Sequence, residues 1–145
     1  MPAAGFWAGR MAELAPQLPA RPDLVLAVPL GAARRRQRGF NQSAEIGKRL
    51  ARRLGCAYAA RALWRVRETA PQSGLTAEER ERNVARAFAA GARVRGRRVL
   101  LVDDVLTTGA TARAAAAALQ RAGASQVMVM TAARAVRAVH IEAAA

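Results

Sequence analysis

Residues 98–111 read RVLLVDDVLTTGAT. Arg98 to Val102 is an apolar, β-branched run, as expected of a buried strand. It leads into two adjacent carboxylates, Asp103 and Asp104, then a Thr- and Gly-rich turn, then the start of a helix. In an open parallel sheet, ligands sit outside the carboxyl ends of strands, and the acid pair falls at such an end. Paired carboxylates there accept hydrogen bonds from a sugar diol or help hold a divalent cation. Thr107, Thr108, Gly109, Ala110 and Thr111 then place hydroxyls and backbone N–H groups at a helix N-terminus. Such a terminus binds phosphate through its amide donors and the helix dipole. Diol and phosphate recognition within the nine residues 103–111 describes a ribose 5-phosphate site.

The flanking sequence builds the rest of an α/β domain. Residues 5–15 carry a loose helical pattern that stops before Pro16 and Pro19. Asp23 to Val28, between Pro22 and Pro29, reads as a buried strand. Asn41 is a good N-cap for an amphipathic helix that buries Ala44, Gly47, Leu50, Ala51 and Leu54 and ends at Gly55. A second strand is expected within residues 56–64. A polar stretch of about 65–87 follows, of which 76–87 suits a short helix capped by Thr76, with Glu79 at the capping-box position. An Ala-rich helix over 110–122 stops at Gly123, and Gln126 to Thr131 is another buried strand. The tail from Ala132 onward offers no acceptor-pocket signature. Apolar strands without polar alternation argue an open parallel sheet with helices on both faces, in a single domain spanning residues 1–145.

Composition narrows the chemistry. Of 145 residues, 38 are Ala and aromatics are only 4%, so helices should pack closely and Trp7, Phe40, Trp64 and Phe88 should act as individual anchors. The net charge is +14, and Lys48 is the only lysine among 24 basic residues. Arginine forks suit phosphate and carboxylate, so anionic partners such as nucleotides or nucleic acid are favoured, although a coding bias toward Arg and Ala reads equally well. Cys56 is the only cysteine, which excludes an intrachain disulfide and a Cys-based zinc site. His140, the only histidine, reads as a surface residue near a frayed terminus, and any Ser-His-Asp chemistry would depend on it alone. A signal-peptide pattern and an apolar run of about 20 residues are both missing, so no membrane span and a cytoplasmic protein are expected. A Walker A loop is excluded, because Gln42 stands where its first glycine belongs.

The 98–111 stretch resembles the signature of phosphoribosyltransferases, enzymes that use phosphoribosyl pyrophosphate (PRPP). A narrower resemblance covers almost the whole chain. VPLGAARRRQRGFNQSAEIGKRLA, then ETAPQSGLTAEERERNVARAF, then VLLVDDVLTTGAT, is similar to the competence protein F (ComF) family of phosphoribosyltransferase-like proteins. Arg34, Arg36, Arg38, Gly39, Phe40, Asn41 and Gln42 match its first block. Thr69, Gln72, Leu75, Arg80 or Arg82, Asn83, Ala87 and Phe88 match its second. Two departures stand out: Gly31 replaces the histidine that many members carry, and the family's N-terminal four-cysteine zinc ribbon has no counterpart. The resemblance therefore implies a chain holding only the transferase-like domain, without zinc.

It also implies a type I phosphoribosyltransferase fold and roles for named residues. Asp103 and Asp104 would bind the ribose hydroxyls with Mg²⁺ nearby, and residues 107–111 the 5-phosphate. Leu30, Gly31 and Ala32 would form the pyrophosphate loop. Residues 65–88 would be a flexible hood that closes over PRPP, with Arg34, Arg36, Arg38, Arg80, Arg82 and Asn83 as anion-binding groups. A solvated basic loop at 34–38 and an ordinary surface excursion at 65–88 remain equally consistent with the residues. No side chain announces a general base. Two functions follow: Mg-assisted transfer of a ribose 5-phosphate group with release of pyrophosphate, or a non-enzymatic PRPP-sensing or DNA-uptake module. Single-stranded DNA, proteins of the competence machinery and a second copy of the chain are the implied partners.

Overall fold

The structure is a computed structural model that describes residues 2–31, 35–37, 39–67, 74–84, 86–104, 109–132 and 138–141. Its main sheet has five strands: β1 (Leu24–Ala27), β2 (Ala57–Tyr58), β5 (Arg98–Asp103), β6 (Gln126–Thr131) and β7 (Ala138–Ile141), in the order β2-β1-β5-β6-β7. The first four are parallel, and β7 runs antiparallel to β6. Helices α1 (Pro2–Leu14) and α2 (Gln42–Leu54) cover one face. Helix α4 (Ala110–Arg121) covers the other, with a separate antiparallel pair, β3 (Leu63–Arg65) and β4 (Phe88–Ala90). The short helix α3 (Ala77–Val84) lies against α4.

Parity along each strand explains the two faces. Val25, Leu100, Val102, Met128 and Met130 point toward α1 and α2, where they meet Ala8, Met11, Ile46 and Leu50. Leu24, Leu26, Val99, Leu101, Val127 and Val129 point toward α4, where Ala112, Ala115, Ala116 and Leu119 lie. Every one of these residues is buried, which is why the strands read as unbroken apolar runs. Alanines on α4 let its axis approach the sheet. Gly47 does the same for α2, since a Cβ there would come within 2.9 Å of the Tyr58 ring.

The expected caps are present. Asn41 Oδ1 accepts from the Ala44 amide, and Gly55 closes α2 in the left-handed region with φ 67°. At α3, Thr76 Oγ1 accepts from the Glu79 amide while the Glu79 carboxylate accepts from the Thr76 amide at 2.6 Å. That reciprocal capping box, led by the Thr76 amide, holds the Glu79 carboxyl below its usual range.

Several expectations need correction. Of the four aromatic anchors only Phe88 is fully enclosed. Trp7 is half-buried, while Phe40 and Trp64 are 38% and 44% exposed. The single strand sought in 56–64 is two strands in two different sheets, because β2 is only two residues long and the chain turns away at Ala59–Ala62. Beyond the expected strands, β7 adds an antiparallel edge, with His140 in register with Met128. The short helix expected within 76–87 is present as α3, between the paired strands β3 and β4.

At the opposite end of the sheet from the acid pair, Asp23 ties β1 to β5. Its Oδ2 accepts from the Arg98 amide and Nε at 2.8 and 3.1 Å, and its Oδ1 from Nη2 at 2.9 Å. The Arg98 side chain, then its amide, lower the Asp23 carboxyl from 3.8 to about 2. A depressed folded value adds stability that is complete above the unfolded value and disappears as pH falls through the folded one. Acid unfolding followed by circular dichroism should therefore steepen between pH 3.8 and about 2 in the wild type and flatten there in Asp23→Asn. Identical acid limbs would show that the fork contributes nothing.

Candidate functional site at the strand switch point

The chain leaves β1 toward β2 on one side, and β5 returns on the other side of β1. The carboxyl ends of β1 and β5 thus flank a topological switch point, where crossover connections diverge and leave a crevice. Register brings the two expected halves of the site together there. Ala27 pairs with Val102, and the Val28 amide donates to the Val102 carbonyl at 2.9 Å, so the turn after β1 emerges beside Asp103.

Asp103 is the last residue of β5, in register with the buried Thr131 of β6. Its carbonyl accepts from the Ala132 amide at 3.1 Å, and its Oδ1 accepts from the Asp104 amide at 2.9 Å. Both carboxylates are half-buried. Gly109 precedes α4 with φ 83°, a conformation that disfavours any other residue, and offers no capping side chain. A phosphate can therefore approach the first turn closely. Ala110 is buried and Thr111 half-buried at that helix start.

The turn after β1 is held by its carbonyls. Asn41 Nδ2 donates to Val28 O at 3.2 Å, Arg65 Nε donates to Pro29 O at 3.0 Å, and the Arg35 amide donates to Gly31 O at 3.0 Å. Leu30 and Gly31 are half-buried. Asn41 thus has two tasks, capping α2 and anchoring the end of β1. Its side-chain bond to Val28 has no signal in the sequence beyond the cap itself. Arg65 is the residue that sequence reasoning missed. In the sequence it is one of three closely spaced arginines with Arg61 and Arg67, and only the pairing of β3 with β4 gives it a place.

Arg36 and Arg82 are exposed, the first on a helical turn at 35–37 and the second on α3, which also carries Arg80 and Asn83. Ala32, Arg34, Arg38, Thr107 and Thr108 lie outside the described residues, as do positions 68–73 of the expected hood. Among the described residues no group of three or more His, Cys, Asp or Glu side chains gathers as a metal cage. Two adjacent carboxylates nevertheless fit magnesium, which keeps several waters and takes one or two carboxylates plus ligand oxygens. No helix among the described residues is long and apolar enough to cross a membrane.

Comparison with known proteins agrees with this frame. The DNA utilization protein YhgH of Salmonella typhi is 44% identical over 108 residues, covering 74% of this chain and 48% of that protein. Competence protein F of Haemophilus influenzae is 35% identical over 117 residues, 79% of this chain and 51% of that protein. The chain thus spans about half the length of the curated relatives it matches, and the resemblance to the competence protein F family holds. Among solved structures, the glutamine PRPP amidotransferase from B. subtilis, complexed with ADP and GMP, superposes with a TM-score of 0.59. It is 26% identical and covers 89% of this chain and 26% of that one. The model of the phosphoribosyl transferase domain matches residues 40–141, which include Asp103, Asp104 and the helix start but not the turn at Leu30 and Gly31. With that match lying on a sheet whose switch point carries the acid pair, the chain belongs to the phosphoribosyl transferase domain family.

Proposed function

We propose that the crevice between the carboxyl ends of β1 and β5 binds PRPP, and that the protein is of phosphoribosyltransferase type. The supporting observation is the β1–β5 register, which sets the Val28–Gly31 turn beside Asp103. The two carboxylates accept hydrogen bonds from the ribose hydroxyls. Thr107, Thr108, Gly109, Ala110 and Thr111 take the 5-phosphate at the helix start. Leu30, Gly31 and Ala32 take the pyrophosphate, so the ribose C1 lies between the two anion sites. A nucleophile attacks that carbon, its bond to pyrophosphate breaks, and the leaving group keeps the electron pair. Magnesium held by Asp103, Asp104 and the ligand's own oxygens would neutralise charge on the pyrophosphate. Calorimetric titration with PRPP and magnesium tests the binding, and the absence of heat at millimolar ligand would refute it.

A second reading, a PRPP-responsive module that handles nucleic acid without turnover, has its own observation. Arg52, Arg53, Arg93, Arg95, Arg97 and Arg121 are exposed around the amino ends of the strands, opposite the acid pair. They collect there because helices of a parallel α/β sheet end where the strands begin, and both α2 and α4 carry arginine in their last turn. Arg95 also packs on Gly123, just past α4. Six arginines without interleaved aromatics bind phosphate backbones by charge rather than by base readout. Affinity for single-stranded DNA should fall about 10³-fold between roughly 50 and 200 mM salt, with little dependence on sequence. A flat salt series would remove this reading. Release of pyrophosphate from PRPP with a panel of nucleobase and amine acceptors separates the two readings.

A further inference from the structure

We infer that Arg65 is a positioning residue that aims the pyrophosphate-binding amide of Leu30, an inference that rests on the PRPP reading of the crevice. Arg65 ends β3, directly across from Phe88 on β4. Its guanidinium carbon lies 4.8 Å from the Phe88 ring centroid, and that ring is only 2% exposed. The guanidinium, seated over that ring, is thus held from one side by the core. From that seat Nε donates to Pro29 O at 3.0 Å, across 36 positions of chain.

The bond matters because a peptide unit is flat and trans. The carbonyl of Pro29 and the amide of Leu30 belong to one rigid plane and point in opposite directions. Holding the carbonyl toward the hairpin turns the Leu30 N–H to the opposite side of the turn. Pro29 contributes no N–H of its own, so Leu30 carries the first amide donor of the turn. Asn41 on Val28 O and the Arg35 amide on Gly31 O clamp the carbonyls on either side of Pro29. Of the three clamps, only Arg65 comes from the segment that leads into the 65–88 excursion. Ligand contacts made by that excursion would therefore reach the loop through the Arg65 side chain.

The experiment compares Arg65→Lys and Arg65→Met with the wild type, measuring calorimetric affinity for PRPP and for ribose 5-phosphate, each with magnesium, and the melting temperature. Lysine keeps the charge but has no donor part-way along its stem, so it separates positioning from electrostatics. The expected result is that both variants lose about tenfold in PRPP affinity while ribose 5-phosphate affinity stays within about twofold. If PRPP binds the wild type and Arg65→Lys retains wild-type PRPP affinity, charge is what matters and the positioning role is overturned. Equal losses for both ligands would mean general loosening and also overturn it. A wild type that binds neither ligand removes the PRPP reading itself, and the role of Arg65 with it.

Discussion

Asp103→Asn/Asp104→Asn should lose PRPP affinity by about 10²- to 10⁴-fold while keeping its fold. Asparagine preserves the volume of each side chain and retains an Oδ1 acceptor, so the bond from the Asp104 amide to residue 103 survives. What disappears is two charge-assisted acceptors for the ribose hydroxyls, each worth roughly 1.5–3 kcal/mol. The sign is diagnostic. PRPP is a polyanion, so deleting two negative charges by long-range electrostatics alone would tighten its binding. A loss measured by calorimetry therefore requires direct contact or a shared magnesium ion. Unchanged or improved affinity in a folded variant would place the ribose elsewhere.

Phe88→Ala should be the most damaging single change to the fold. The ring is 2% exposed and lies in the core layer beside Leu63, Val94 and Leu119. Truncating a buried phenylalanine costs about 3–5 kcal/mol, a large part of the roughly 5–15 kcal/mol that holds a domain together. A melting temperature lowered by roughly 10 °C is expected for a chain of this size. The same change removes the surface under the Arg65 guanidinium. Phe88→Leu keeps most of the apolar volume but not the stacking. It should melt much closer to the wild type, yet share the PRPP deficit of Arg65→Met. Thermal melts of the pair check the packing claim, and a stable Phe88→Ala would contradict it.

How much of this was legible beforehand depended on whether the cause was local. The β5 strand declared itself because Val99 to Val102 are buried on both faces, so no polar residue interrupts them. The caps at Asn41, Gly55 and Thr76 were equally readable, since each arises within four residues of its partner. The acid pair was found because strand, acids and turn are contiguous. Long-range pairing was not readable. Strands β3 and β4 have three residues each and are separated by more than twenty positions, too short for any period to show. Strand β7 pairs through backbone register in a segment whose Ala-rich composition resembles a helix or a frayed end. Arg65 and Asp23 acquire their roles only from partners 36 and 75 positions away. Arginines scattered along the sequence become a face only once the helices are laid antiparallel to the strands.

The most direct test is a titration of isotope-labelled protein with PRPP and magnesium, followed by backbone amide chemical shifts. The expected result is that shifts concentrate at Leu30, Gly31, Asp103, Asp104, Gly109, Ala110 and Thr111, around the carboxyl ends of β1 and β5. The contradicting result is a map centred on Arg95 to Arg98 and Gly123, at the opposite end of the sheet, with the acid pair unmoved.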